Sequence, residues 1–172
     1  MRRPSSTLIW IGVGVVAAVA ALALARQQAT ARPEPLAIGA AAPRFDLRGT
    51  RGERVAFAPP VARPVVLAFV STGCGHCART APELVSLARR GTTVLAIDAG
   101  ASPGDDRRTF ARDALAGAVP FLADPGGNVS RSYKASATPT VYVLRADGRV
   151  AAAWVGEAPM TRFETALTAA RG

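Results

Sequence analysis

Two cysteines, Cys74 and Cys77, are the residues of this sequence best suited to covalent chemistry, and the chain contains no others. Gly75 and His76 separate them, which gives the pattern C-G-H-C. Two thiols at this spacing can form a disulfide and open it again by exchange with another thiol pair. The attacking species is the thiolate, so the environment of the first cysteine decides how reactive the pair is.

Three other uses of a cysteine pair are weaker. A structural zinc site needs four ligands, but the chain offers two thiols and a single histidine, His76. Attachment of a c-type haem requires a histidine directly after the second cysteine, where Ala78 stands. A purely structural disulfide would close a loop too short to restrict the unfolded chain much. The pattern therefore favours a redox pair with no metal and no cofactor.

The neighbouring residues predict where this pair lies. Val65–Val70 is a continuous apolar run rich in β-branched residues, typical of a strand buried on both faces. Gly75–Arg90 has the periodicity of a helix, so Cys74 follows a strand and opens that helix. Unpaired N–H groups at a helix N-terminus favour negative charge and lower the pKa of a thiol there. We expect Cys74 to attack, Cys77 to resolve the mixed disulfide, and a protonated His76 to favour the thiolate.

The remaining pattern predicts a mixed α/β sheet covered by helices on both faces. Two short strands surround the turn-rich segment RGTRGE, within residues 38–57. Further elements follow in alternation: a strand at Thr93–Ile97, a helix at Asp105–Ala116, a strand at Val119–Ala123, a hairpin of Thr140–Leu144 and Arg149–Val155 turning at Asp147-Gly148, and a helix at Thr161–Ala170.

Residues 36–172 closely resemble the thioredoxin superfamily. Pro82 lies five residues after Cys77, where that family has a helix-kinking proline, and Thr138-Pro139-Thr140 resembles its cis-proline loop. The resemblance implies a thioredoxin fold with an N-terminal β extension and an inserted strand–helix. It also implies that Thr138 and Pro139 bind the substrate chain beside the cysteines.

Finer features are similar to the membrane-anchored, extracytoplasmic redoxin branch, which includes cytochrome c maturation reductases. These features are the segments IGAAAPRFDL and PFLADPGGNVSRSY. The segment FVSTGCGHC is also similar to an accessory protein for methylamine dehydrogenase maturation. Three positions differ from the family pattern. Ser71-Thr72-Gly73 replaces the tryptophan-containing segment usual before the first cysteine, and Ala68 stands where cytoplasmic thioredoxins have a buried aspartate. The motif C-G-H-C itself is more similar to disulfide isomerases than to reductases. Both directions of electron flow therefore stay open.

The pattern of residues at the N-terminus predicts an export signal. Leu8–Ala25 contains no charged residue, and its eighteen residues would span about 27 Å as a helix, close to the roughly 30 Å hydrocarbon core. We expect a signal anchor or signal peptide at 1–25, a linker at 26–35 and the folded domain at 36–172. The domain would face the periplasm or extracytoplasmic side, with exported thiol or disulfide proteins as substrates and a redox partner in the membrane.

Charge and motif content limit the other function classes. The net charge of +9 falls to +5 for residues 33–172, with 17 basic and 12 acidic side chains. Because the arginines are scattered and lack interleaved aromatics, no nucleic-acid partner is expected. Two alternatives stay open: a peroxiredoxin-like peroxidase, since Ser71 precedes Cys74 by three residues, and a copper-binding module, since thiolates suit Cu(I).

Overall fold

The computed structural model describes residues 16–23, 34–100 and 102–172. The chain divides into two compact units, 1–32 and 33–172. Residues 16–23 of the first unit are helical, and none of the described helices combines the length and apolar character that a membrane span requires. The rest of the predicted signal segment 1–25, and the linker up to residue 33, lie outside the described residues. The domain boundaries therefore stay predictions.

A single seven-stranded sheet forms the centre of the second unit, in the order β2-β1-β5-β4-β3-β6-β7. β3, β4 and β5 are parallel, and the other neighbouring strands are antiparallel. This arrangement confirms the predicted mixed sheet. The strands are β1 Phe45–Gly49, β2 Arg54–Phe57, β3 Val65–Val70, β4 Thr93–Asp98, β5 Phe121–Ala123, β6 Thr140–Leu144 and β7 Val150–Val155.

Helices cover both faces of the sheet, as predicted. They are α1 Gly75–Arg89, α2 Gly104–Asp113, α3 Asn128–Ser132 and α4 Met160–Arg171. Apolar residues of α1, α2 and α4 pack on one face, while α3 and the segment preceding β1 pack on the other. All six residues of β3 are buried. The end of this strand therefore holds the residues that follow it in a fixed position.

Two predicted elements are shorter in the structure. The second helix ends at Asp113 rather than Ala116, because Ala116 and Gly117 have positive φ angles of 49° and 62°, which a helix cannot contain. The next strand begins at Phe121 rather than Val119, since Pro120 has no N–H to give to a strand ladder. The predicted hairpin is present, and Gly148 at its turn has φ of 84°.

Candidate active site

Cys74 and Cys77 form a disulfide at the junction between β3 and α1, with Cα atoms 5.2 Å apart. Cys74 is the N-cap residue of α1 and has an extended backbone, with φ of −92° and ψ of 109°. The backbone N–H of Cys77 points to the Cys74 sulfur, at an N–S distance of 3.1 Å. In the reduced protein this N–H, which also donates to the Cys74 carbonyl oxygen at 3.0 Å, would stabilise a thiolate on Cys74.

The two sulfurs differ in exposure. Cys74 is partly exposed, whereas Cys77 is fully buried against the apolar core. Ala68 of β3 is also fully buried and belongs to the same cluster as Cys77. A substrate sulfur can therefore approach Cys74 but not Cys77.

The Thr138–Pro139 loop lies directly beside the disulfide. The peptide bond between these residues is cis, and the Thr138 carbonyl oxygen is 3.4 Å from the Cys74 sulfur. The carbonyl oxygen of Pro139 accepts a hydrogen bond from the Gly156 N–H at 2.8 Å, which fixes the loop to the end of β7. The structure thus brings Cys74 together with the adjacent residues Thr138 and Pro139, although Thr138 is 64 residues further along the sequence.

His76 lies on the exposed side of α1 and belongs to a small charged cluster. Its Nδ1 atom is 2.5 Å from Glu157 Oε1 and 2.9 Å from Arg79 Nη2. Arg79 Nε also donates to the same Glu157 oxygen at 2.9 Å. The hydrogen bond from Arg79, and to a smaller extent that from His76, lowers the pKa of Glu157 below its usual value. This carboxylate therefore stays charged well below neutral pH.

Glu157 was missed by the sequence analysis. It follows β7 in a loop and is 81 residues from His76, and a single acidic residue in a loop matches no motif. Glu83, the acidic residue nearest to the cysteines in sequence, has a buried Oε2 atom without a hydrogen-bond partner.

A second group that the sequence analysis missed is the carboxylate of Asp98, the last residue of β4. Asp98 is fully buried and accepts hydrogen bonds from Ser102 N at 2.8 Å, Ser102 Oγ at 3.0 Å and Gly100 N at 3.1 Å. Arg107 Nη1 lies 3.7 Å away. Thr72 Oγ1 donates to Ser102 Oγ at 2.9 Å, so the network reaches the loop that precedes Cys74. An acidic residue ending an apolar strand was the signal that could have revealed it.

Metal binding has no further support in the described part of the chain. Residues 16–23, 34–100 and 102–172 contain no group of three or more His, Cys, Asp or Glu side chains placed to hold an ion. The arrangement suits sulfur chemistry, because a shielded and a partly exposed cysteine share one helix terminus beside the Thr138–Pro139 loop.

A protein-family model described as the AhpC/TSA family matches residues 38–153. A solved structure of a candidate thiol:disulfide interchange protein DsbE from Chlorobium tepidum is 27% identical, covers 78% of this chain and 98% of its own, and has a TM-score of 0.66. No curated protein matches the sequence.

Two further structures share the fold. One is a secreted Mycobacterium tuberculosis disulfide oxidoreductase homologous to E. coli DsbE, at 21% identity, covering 73% of this chain and 95% of its own, with a TM-score of 0.63. The other is the peroxidoxin BcpB from Mycobacterium tuberculosis, at 20% identity, covering 77% and 94%, with a TM-score of 0.63. The fold is therefore thioredoxin-like, as the sequence predicted.

Proposed function

The chain belongs to the AhpC/TSA family and is a thioredoxin-like protein-disulfide oxidoreductase, and on that premise we propose that it exchanges disulfides with exported proteins through Cys74 and Cys77. The observation that supports this proposal best is the difference in exposure between the two sulfurs. Cys74 is accessible beside the Thr138–Pro139 loop, whereas Cys77 is fully buried one helical turn further on.

The proposed reaction has two exchange steps. The Cys74 thiolate attacks one sulfur of a substrate disulfide, forming a mixed disulfide and releasing the other substrate sulfur as a thiolate. The Cys77 thiolate then attacks the Cys74 sulfur, which closes the Cys74–Cys77 disulfide and releases the second substrate thiolate. Two electrons pass from the protein to the substrate, and oxidation of a substrate dithiol is the same sequence in reverse.

The Thr138–Pro139 loop is the proposed binding surface for the substrate chain. Its backbone carbonyl at Thr138 lies 3.4 Å from the Cys74 sulfur, and such a group can pair with an extended substrate backbone. A backbone contact of this kind does not depend on the substrate's side chains. We therefore propose that the site accepts several exported proteins rather than one, as maturation of cytochrome c or of other periplasmic enzymes would require.

The activity is tested with reduced full-length protein and an oxidised protein such as insulin, with glutathione as the electron source. We expect catalytic turnover of the insulin disulfides and formation of oxidised glutathione. A protein that is reduced but does not accelerate insulin reduction or reoxidation would contradict the proposed function.

The proposed location is outside the cytoplasm, held at the membrane or released after cleavage. The uncharged segment Leu8–Ala25 after two arginines supports this location. The similar Mycobacterium tuberculosis oxidoreductase is a secreted protein. We expect protease added to intact spheroplasts to degrade residues 33–172; protection of this region would contradict the proposed orientation.

His76 provides a prediction for the redox balance. His76→Pro should make the reduction potential more negative, because a protonated imidazole would favour the Cys74 thiolate and hence the reduced form. Proline is tolerated in the first turn of a helix, where its missing N–H had no helical partner. The measurement is equilibration with glutathione across the pH range in which imidazoles titrate. An unchanged potential throughout that range would show that His76 is only a surface residue.

A peroxidase is the second candidate, favoured by the family match and by the fold shared with a peroxidoxin. A peroxidase site would use Ser71, which precedes Cys74 by three residues. The Ser71 Oγ atom lies 3.5 Å from Thr138 Oγ1. The hydroxyl therefore faces the substrate loop. Consumption of hydrogen peroxide by reduced protein at a rate above that of free thiols would favour the peroxidase over disulfide exchange.

A further inference from the structure

We propose that Glu157 and Arg79 set the reduction potential of the Cys74–Cys77 pair with opposite signs, through the charge that each side chain holds beside the N-terminal turn of α1. This inference rests on the proposed function, because a reduction potential matters only if the pair exchanges. It assigns a role to a loop residue outside the C-G-H-C motif.

Each of the three side chains in the cluster contacts the other two. Glu157 Oε1 is 2.5 Å from His76 Nδ1 and 2.9 Å from Arg79 Nε, and Arg79 Nη2 is 2.9 Å from His76 Nδ1. One carboxylate oxygen therefore contacts both the imidazole and the guanidinium. Because Glu157 is fixed in the chain directly after β7 and Gly156, the imidazole is tethered to the loop that also supports Pro139.

The cluster lies at the same helix terminus as Cys74. His76 is the second residue of α1, and Arg79 Nη1 would be 3.6 Å from a Cβ built on Gly75, the residue next to Cys74. The guanidinium therefore lies over the first turn of the helix. A unit charge beside this turn, within a Debye length of the Cys74 thiolate, changes the energy of that thiolate, because solvent and salt screen it only in part.

The charge of the cluster has two values. One value applies when Arg79 and Glu157 are both present, because their opposite charges cancel; the other applies when one of the two is removed and the remaining charge is uncompensated. Removal of Glu157 leaves the positive charge of Arg79, and removal of Arg79 leaves the negative charge of Glu157. A more positive cluster stabilises the Cys74 thiolate, and hence the reduced form, which makes the disulfide the stronger oxidant.

The contacts have little value for stability, which separates this role from a structural one. The side chains of His76, Arg79 and Glu157 are 67%, 59% and 39% exposed. Ion pairs at such exposure contribute little to folding. If the cluster were only structural, removal of either partner would loosen the same contact and move the potential in the same direction or not at all.

The test compares Glu157→Gln with Arg79→Gln in the full-length protein, equilibrated with reduced and oxidised glutathione. For Glu157→Gln we expect the equilibrium to shift three- to tenfold towards the reduced protein, about 15 to 30 mV more oxidising. For Arg79→Gln we expect a shift of similar size towards the disulfide. Titration of the ultraviolet absorbance of the thiolate should show the Cys74 pKa falling in the first variant and rising in the second.

Glu164→Gln is the matched control. Glu164 pairs with Arg90 at 3.0 Å, the same type of exposed ion pair, but at the opposite end of α1 and about 20 Å along the helix axis from His76. This variant should leave the potential unchanged. Shifts of equal sign in Glu157→Gln and Arg79→Gln, or no shift in either, would overturn the proposed roles while the wild-type protein still exchanges. Failure of the wild-type pair to exchange at all would overturn the proposed function as well.

Discussion

Replacement of Cys74 by serine is expected to abolish disulfide exchange, with a loss of at least about a thousandfold in rate, or about 4 kcal/mol of transition-state stabilisation. Serine at the helix N-cap keeps the local fold, since serine is a preferred N-cap residue. It is not ionised at neutral pH, however, and cannot attack a substrate disulfide. The measurement is the initial rate of insulin reduction by the full-length variant.

Cys77→Ser is the matched variant and should fail in a different way. Cys74 can still attack, but no buried thiolate remains to resolve the mixed disulfide, so covalent complexes with substrate accumulate. Non-reducing electrophoresis and mass spectrometry detect these complexes. Equal residual activity in the two variants, or mixed disulfides formed through Cys77 in Cys74→Ser, would contradict the assigned order of attack.

The second large effect is expected at Asp98. Asp98→Ala removes a fully buried carboxylate that accepts three hydrogen bonds and lies 3.7 Å from Arg107. Loss of one partner of a buried charge network leaves the other polar groups without compensation. We expect the free energy of unfolding to fall by about 3 kcal/mol, measured by urea denaturation of the oxidised protein.

Asp98→Ala should also slow disulfide exchange in the protein that remains folded. The reason is the hydrogen bond from Thr72 to Ser102, through which the Asp98 network fixes the loop preceding Cys74. Asp124→Ala is the control, because Asp124 is 2% exposed and accepts hydrogen bonds from Ser130 N, Ser130 Oγ and Val129 N. It should cost similar stability with little change in exchange rate. Equal exchange rates in the two variants would contradict a link between Asp98 and the active-site loop.

The part of the fold that sequence could predict is the part governed by local rules. The apolar run of β3, the helical period of α1 and the turn at Asp147-Gly148 each follow from short-range patterns. The placement of Cys74 at a helix N-cap follows directly from two of these elements. The resemblance of Thr138-Pro139 to a known loop added the one long-range contact in the site that the sequence analysis anticipated.

The contacts that sequence could not predict join residues that are far apart in the chain and meet only in the folded sheet. Glu157 meets His76 because β7 ends beside the first turn of α1, and no residue pattern records that approach. Helix α2 ends three residues earlier than its pattern predicts, because Ala116 and Gly117 take positive φ angles that the hydrophobic period does not record.

The most direct test of the central claim is the redox equilibrium of the wild-type pair against glutathione, followed by the change in thiol content. The proposed function predicts a single reversible two-electron transition, with a reduction potential between roughly −120 and −270 mV. A value near the lower limit would indicate a reductant and one near the upper limit an oxidant or isomerase. A Cys74–Cys77 disulfide that neither glutathione nor dithiothreitol reduces in the folded protein would contradict the claim.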